Sequence, residues 1–330
     1  MLALFLISLG IFYSFFKIEK LILKNYYYRE SHSIHQGKVS RQGGFLIFIS
    51  ILIYLIFHQV STTLLTLFLI FTPIAICAFV EDFYHNVNAV IRLVAIIVSS
   101  IIYANIFGPV HGIDIPFLSF LFENGVFLFI FTVLALTLIT NSFNIIDGQN
   151  GLASFSFIFI IFSLVGLNNF DYEDSKIYLI ILLPTFIFLI LNFPFSNIFL
   201  GDFGAYLFGF LSSSLIISFF NEHYEIIRWN AVLIIIYPLT ETIFTFFRRL
   251  FLRRSPFLPD NKHLHSLIYK KLFSKNTTKA NPLTTIYLLP FMAYGPIFSI
   301  IFNDDLIKIL FLIMFYFITY FLTYVFLHKN

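Results

Sequence analysis

The chain has 330 residues, of which 59% are hydrophobic, 20% aromatic and only 11% charged. A soluble domain is nearer half apolar and a quarter charged, so this composition excludes one and leaves a polytopic membrane protein. The net charge of +3 gives no ground for a nucleic-acid partner, because the basic residues sit in short connections. The lone Cys77 excludes an intrachain disulfide and a cysteine metal cluster.

Eleven apolar runs follow one another at 1–16, 44–60, 62–80, 93–108, 125–143, 152–167, 177–192, 205–220, 229–247, 283–302 and 306–327. Each predicts a membrane helix, several of them short for a hydrocarbon layer of about 30 Å. The expected fold is all-α, a single transmembrane domain over residues 1–330. The first run, "MLALFLISLGIFYSFF", resembles a signal peptide in length but lacks a basic start and a small-residue cleavage site, so it reads as a retained span. "SLIYKKLFSK" (266–275) has one apolar and one basic face and suits the surface of the inner leaflet.

Eleven crossings put the termini on opposite sides. Seventeen of the twenty lysines and arginines fall in alternate connections or the C-terminal tail, leaving Lys176, Arg228 and Lys308 opposite. The positive-inside rule then predicts an external N-terminus and a cytoplasmic C-terminus. The bias is strong.

"NSFNIIDGQNGLA" (141–153) interrupts two of these runs with three asparagines, an aspartate and two glycines. "RQGG" (41–44), "EDFYHNVNAVIR" (81–92), "NFPFSNIFLGDFG" (192–204) and "PDNKHLH" (259–265) interrupt others, all on the expected cytoplasmic side. Taken singly they are weak signals. Glu81-Asp82 could cap a span, Asp147-Gly148 and Gly201-Asp202-Phe203-Gly204 could be turns, and His263-Leu264-His265 could be a solvated loop. Together they carry chemistry. Carboxylates without soft ligands suit magnesium, while histidines, arginines and glycine-flanked helix starts suit a diphosphate. Phosphoryl transfer needs charge neutralisation, a positioned nucleophile and a base. A magnesium-dependent phosphoryl-transfer site at the membrane face is what the residues alone support, with the substrate open.

In order and spacing, residues 36–272 resemble the polyprenyl-phosphate N-acetylhexosamine-1-phosphate transferases, most of all the bacterial undecaprenyl-phosphate N-acetylglucosamine-1-phosphate transferase branch. The DG-x-N-GLA loop, the F-x-GD-x-G segment and the histidine loop carry the resemblance. It implies transfer of a sugar-1-phosphate from a UDP-sugar to undecaprenyl phosphate, with release of UMP. It also implies magnesium (or manganese) as cofactor, a bacterial cytoplasmic membrane with its lipids as surroundings, and the start of a lipid-linked envelope glycan such as O-antigen or capsule.

The family's paired aspartates fall on Glu81 and Asp82, with Asp82 expected to face magnesium or phosphate and the base role divided between them. Asp202 matches a magnesium-binding aspartate, Asp147 a further site aspartate, and Phe199 an aromatic near the uracil. Asn150 stands where many members carry a second aspartate and would hydrogen-bond uracil, and Asn144 and Asn192 match asparagines that hold the site together. His263 and His265 would steady the diphosphate, as would Lys38 or Arg41. The implied mechanism is direct attack of the lipid phosphate, with a double displacement through an aspartyl phosphate as the other route. A homodimer is left open. Two rival readings use the same residues: a secondary transporter, whose acids belong near the bilayer midplane, and a lipid-phosphate hydrolase, which needs no nucleotide pocket.

Overall fold

The computed structural model describes residues 1–22, 39–58, 61–111, 122–253, 260, 262–273 and 280–329. All regular elements among them are helical: α1 (Leu2–Ile22), α2 (Gly43–His58), α3 (Thr62–Ile70), α4 (Thr72–Tyr84), α5 (Ala89–Ile106), α6 (Gly125–Ile146) and α7 (Leu152–Leu167). They continue with α8 (Tyr172–Asn192), α9 (Gly201–Glu222), α10 (Trp229–Ile234), α11 (Ile236–Phe251) and α12 (Leu264–Ile268). A π turn at Tyr269–Phe273 follows, then α13 (Ala280–Ile301) and α14 (Leu306–Lys329). Over the described residues each of the eleven apolar runs is therefore mainly helical.

Fewer than the eleven expected crossings meet a test of length and hydropathy among the described residues. Six helices, α5, α6, α8, α9, α13 and α14, are long and apolar enough to cross a membrane. The pair α3 and α4 makes a seventh if its 55° bend lies within one span. Pro73, in the first turn of α4, has no N–H to give the preceding turn, and the run that reads as continuous breaks there. The sixteen residues of α2 and of α7 extend only about 24 Å. The run at 229–247 is divided at Ile235 into α10 and α11.

At the centre stands α9, buried almost along its whole length. It packs most extensively on α6 and then on α2, α4 and α7. Glycine makes two of these contacts close. A Cβ on Gly44 of α2 would overlap the Gly204 backbone, and one on Gly209 would fall 2.7 Å from the Thr140 carbonyl oxygen of α6. Aromatic rings fill the remaining space: Phe203 meets Phe45, Phe48 and Phe71 edge-on, and Phe157 stacks on Phe208 at 4.2 Å. The outward faces carry the rest of the apolar residues, among them Ile76, Leu134, Ile190, Phe247 and Phe326, all more than 45% exposed. In water such a surface would aggregate; in lipid it is solvated.

The α11 helix inverts the usual amphipathic pattern. Glu241, Thr245 and Arg249, spaced four apart on one face, are buried, while Phe246, Phe247, Leu250 and Phe251 point outward. Polar residues face protein and apolar residues face lipid, as an intramembrane carboxylate requires.

Candidate active site

The site forms where the N-terminus of α9 meets two loops. Backbone pairing sets the frame: Phe199 N–H donates to Ser40 O (2.8 Å), Gly43 N–H to Phe199 O (3.0 Å) and Gly44 N–H to Leu200 O (2.9 Å). The Arg-Gln-Gly-Gly segment is thereby laid against the loop that leads into α9. Gly201 begins that helix at φ +76°, a left-handed conformation that a side chain disfavours. A Cβ there would collide with the Arg41 carbonyl and the Asp82 carboxylate.

Asp82, near the C-terminus of α4, is buried, and both its oxygens are engaged. Oδ1 accepts from Asp202 N–H (2.8 Å) and Oδ2 from Phe203 N–H (2.9 Å). These are amides at a helix start, where no intrahelical acceptor exists and negative charge is favoured. Glu81 behaves differently. It is half-buried, and one oxygen, Oε2, accepts from Val87 N–H (2.7 Å), which closes the loop after α4.

Asp202 pairs with two arginines. Arg92, from the second turn of α5, contacts Oδ2, and Arg41 Nη2 lies 3.5 Å from Oδ1. Arg41 also reaches Asp82 at 4.0 Å and His85 Nδ1 at 3.3 Å. His85 ends α4 in the left-handed region at φ 50°, which turns its ring back toward Arg41.

Asp147 follows α6 in a turn, half-buried. Burial pushes its carboxyl up to about 7; Arg41 pulls the other way, and Asp202 and Asp82 add to the rise. Three carboxylates and two guanidiniums thus share one electrostatic neighbourhood.

An amide network fixes the loop between α6 and α7. Asn192 Oδ1 accepts from Gly151 N–H (2.6 Å) while its Nδ2 donates to Ile198 O (2.8 Å), joining this loop to the one before α9. Asn150 N–H donates to Asn281 Oδ1 (2.7 Å), Thr285 Oγ1 donates to Asn150 O (2.7 Å), and Asn150 Nδ2 bonds Ser196 Oγ. The Asn150 amide N–H is therefore directed at protein. Asn144 lies one turn before Asp147 in α6, half-buried, and Phe199 is half-buried with its backbone in the pairing described above.

The histidine loop comes from the other side. Arg248 and Arg249 of α11 both pair with Asp260, and Arg248 also donates to the Lys262 carbonyl and to Tyr324 Oη (2.6 Å). So anchored, His263 stacks flat on His265 with ring centres 5.3 Å apart. His265 Nε2 abuts Gly148, where a Cβ would fall 2.5 Å from it. Burial holds the His265 ring down to about 4, so it is neutral near pH 7. His263, His265 and the Asp147-Gly148 turn meet as one surface. Lys38 lies outside the described residues.

Sequence reasoning missed several residues of this arrangement. Arg92 counts there only toward orientation, and Asn281 and Thr285 give no signal in a polar-start helix. Glu241 had one: it is a carboxylate inside the run 229–247.

A magnesium ion takes hard oxygen ligands and commonly binds through one or two carboxylates together with substrate phosphates. Among the described residues no group of three or more acids, histidines or cysteines converges as a self-sufficient metal cage. The sparse mode fits better: among the described residues the Asp147 carboxylate makes no hydrogen bond or ion pair, and burial pushes its pKa up, which a nearby cation would oppose. Asp147 and Asp202 are the residues that would hold the ion.

Similarity to known proteins agrees with this geometry. Residues 64–220, which include Glu81, Asp82, Asp147 and Asp202, match glycosyl transferase family 4. A protein of Bacillus subtilis (strain 168) named as a probable undecaprenyl-phosphate N-acetylglucosaminyl 1-phosphate transferase is 25% identical over 268 residues, 79% of this chain and 73% of the relative. The undecaprenyl-phosphate alpha-N-acetylglucosaminyl 1-phosphate transferase of Thermotoga maritima is 30% identical over 152 residues, 43% of this chain and 44% of its own. That of Salmonella typhi is 27% identical over 266 residues, 73% and 68% respectively. With the motifs in order and the carboxylates gathered at one helix end, residues 64–220 of the chain are similar to glycosyl transferase family 4.

Proposed function

We propose that the protein transfers a sugar-1-phosphate, N-acetylhexosamine-1-phosphate, from a UDP-sugar to undecaprenyl phosphate, and so begins a lipid-linked glycan at the cytoplasmic face of the membrane. The observation that carries this reading is the convergence of Asp82, Asp147, Asp202, Arg41 and Arg92 at the N-terminus of α9. The names of the relatives supply the acceptor and the sugar class.

Each residue has a task in this proposal. Asp82 braces the start of α9 through two backbone bonds and so places Asp202. Glu81 keeps an oxygen free of backbone and is the better base for the lipid phosphate, whose second ionisation near pH 6 leaves little proton to remove. Arg41 and Arg92 carry the positive charge that the phosphates meet. Magnesium held by Asp147 and Asp202 would neutralise charge on the diphosphate. His263 and His265 steady the diphosphate from the opposite wall. A lipid-phosphate oxygen attacks the β-phosphorus, the bond from that phosphorus to the oxygen bridging to the α-phosphorus breaks, and UMP leaves with the electron pair.

The site's place at one end of α9, rather than midway, favours this over a transporter. The test is purified protein given undecaprenyl phosphate and a panel of UDP-sugars. UMP release that depends on the lipid supports the proposal; phosphate release from the lipid alone would replace it with a hydrolase.

A further inference from the structure

We propose that Glu241, buried within α11, is a positioning residue that holds the His263 ring toward the substrate diphosphate, an assignment that rests on the function proposed above. Glu241 is completely buried in a segment whose outer face meets lipid, and a carboxylate there persists only when its oxygens are satisfied. They are. Oε1 accepts from Leu264 N–H at 2.9 Å and faces His263 Nδ1 at 3.2 Å, and Oε2 accepts from Tyr320 Oη at 2.8 Å. Thr245 Oγ1 stands 3.2 Å from the same imidazole nitrogen.

A carboxylate against Nδ1 fixes which edge of the ring faces the protein, which leaves Nε2 on the far edge for a ligand. That ring is stacked flat on His265, whose own Nε2 touches Gly148 of the Asp147 turn. Anchoring the loop alone would need only an acceptor for Leu264 N–H, and a neutral amide would serve. Convergence of an amide, an imidazole and a phenol on one carboxylate fits the setting of a ring's orientation.

The test is a double-mutant cycle on kcat/KM for whichever UDP-sugar the wild type uses. Glu241→Gln keeps an oxygen for Leu264 N–H but loses the charge behind His263. It should lower kcat/KM roughly 10- to 100-fold, the range for loss of a charge-assisted hydrogen bond. In a His263→Ala background the same change should cost less than about twofold, because the group through which Glu241 acts is already gone. If Glu241→Gln fails to fold, Tyr320→Phe is read through the same cycle. An equal loss in both backgrounds, or no loss in either, overturns the assignment while leaving the transferase reading intact. A wild type inactive on every UDP-sugar overturns the function and this assignment with it.

Discussion

Both oxygens of Asp82 are taken by the first amides of α9, whereas Glu81 has one oxygen on a loop amide. The two carboxylates should therefore fail differently. Asparagine at 82 offers one acceptor and turns an N–H toward another N–H, so Asp82→Asn should cost about 1–3 kcal/mol of stability along with activity. Glu81→Gln should leave the thermal midpoint in detergent unchanged and lower kcat, most steeply below about pH 6, where the lipid phosphate still carries the proton that the base removes. A lowered midpoint with full turnover in Glu81→Gln would reverse the two roles. The metal belongs to the same scale. Activity should require magnesium or manganese and vanish with EDTA, since Asp147 and Asp202 offer only hard oxygen ligands. Undiminished turnover in metal-free buffer would remove the metal from the proposal.

Among the elements, the contact of α2 with α9 is set by two glycines. Gly44→Ala would drive a methyl group into the Gly204 backbone, and backbone cannot move aside as a side-chain tip can. The helices must separate, which displaces Arg41 from Asp202 and should lower kcat by on the order of 100-fold, as misplacement of about 1 Å can. Gly10→Ala in α1, where nothing lies within 4 Å, is the matched control and should keep full activity.

A second element-level effect comes from the histidine loop. His265 is buried, and its folded value of about 4 lies below the ordinary 6.5. The unfolded chain then binds the extra proton between these values, so stability is complete above about pH 6.5 and falls as pH drops toward 4, by roughly 3 kcal/mol in all. His265→Gln should flatten this part of the midpoint–pH curve; an unchanged slope would assign it to other groups. The helices themselves were legible as apolar runs, yet the breaks were not. Pro73 and Pro238 sit inside runs that hydropathy treats as uniform. The site was legible where a local motif held the group, as with Asp147 and Asp202. It was illegible where a partner arrives from 110 residues away, as Arg92 does for Asp202.

At the scale of the molecule the two ends of the bundle differ in charge. Arg41, Arg92, Arg248, Arg249, Lys262, Lys270 and Lys271 lie at or beside the end that holds the carboxylates and the histidine loop. At the other end of α9, about 33 Å away for its 22 residues, Asn221 donates to Pro109 O and Arg228 to His111 O. Few cations stand there. We propose, from the anionic inner leaflet and the positive-inside bias, that the site end faces the cytoplasm, where UDP-sugars are available. The test needs residues that are exposed and make no contact essential to the site. Asn86, in the loop after α4, and Glu225, after α9, both qualify. In a Cys77→Ala background, Glu225→Cys should react with a membrane-impermeant maleimide in intact cells, and Asn86→Cys only after permeabilisation. The opposite pattern would turn the site to the outer face and exclude a cytoplasmic nucleotide sugar as donor. Labelling of both in intact cells would mean that α9 does not separate two compartments, and the membrane placement of the whole bundle would fall with it.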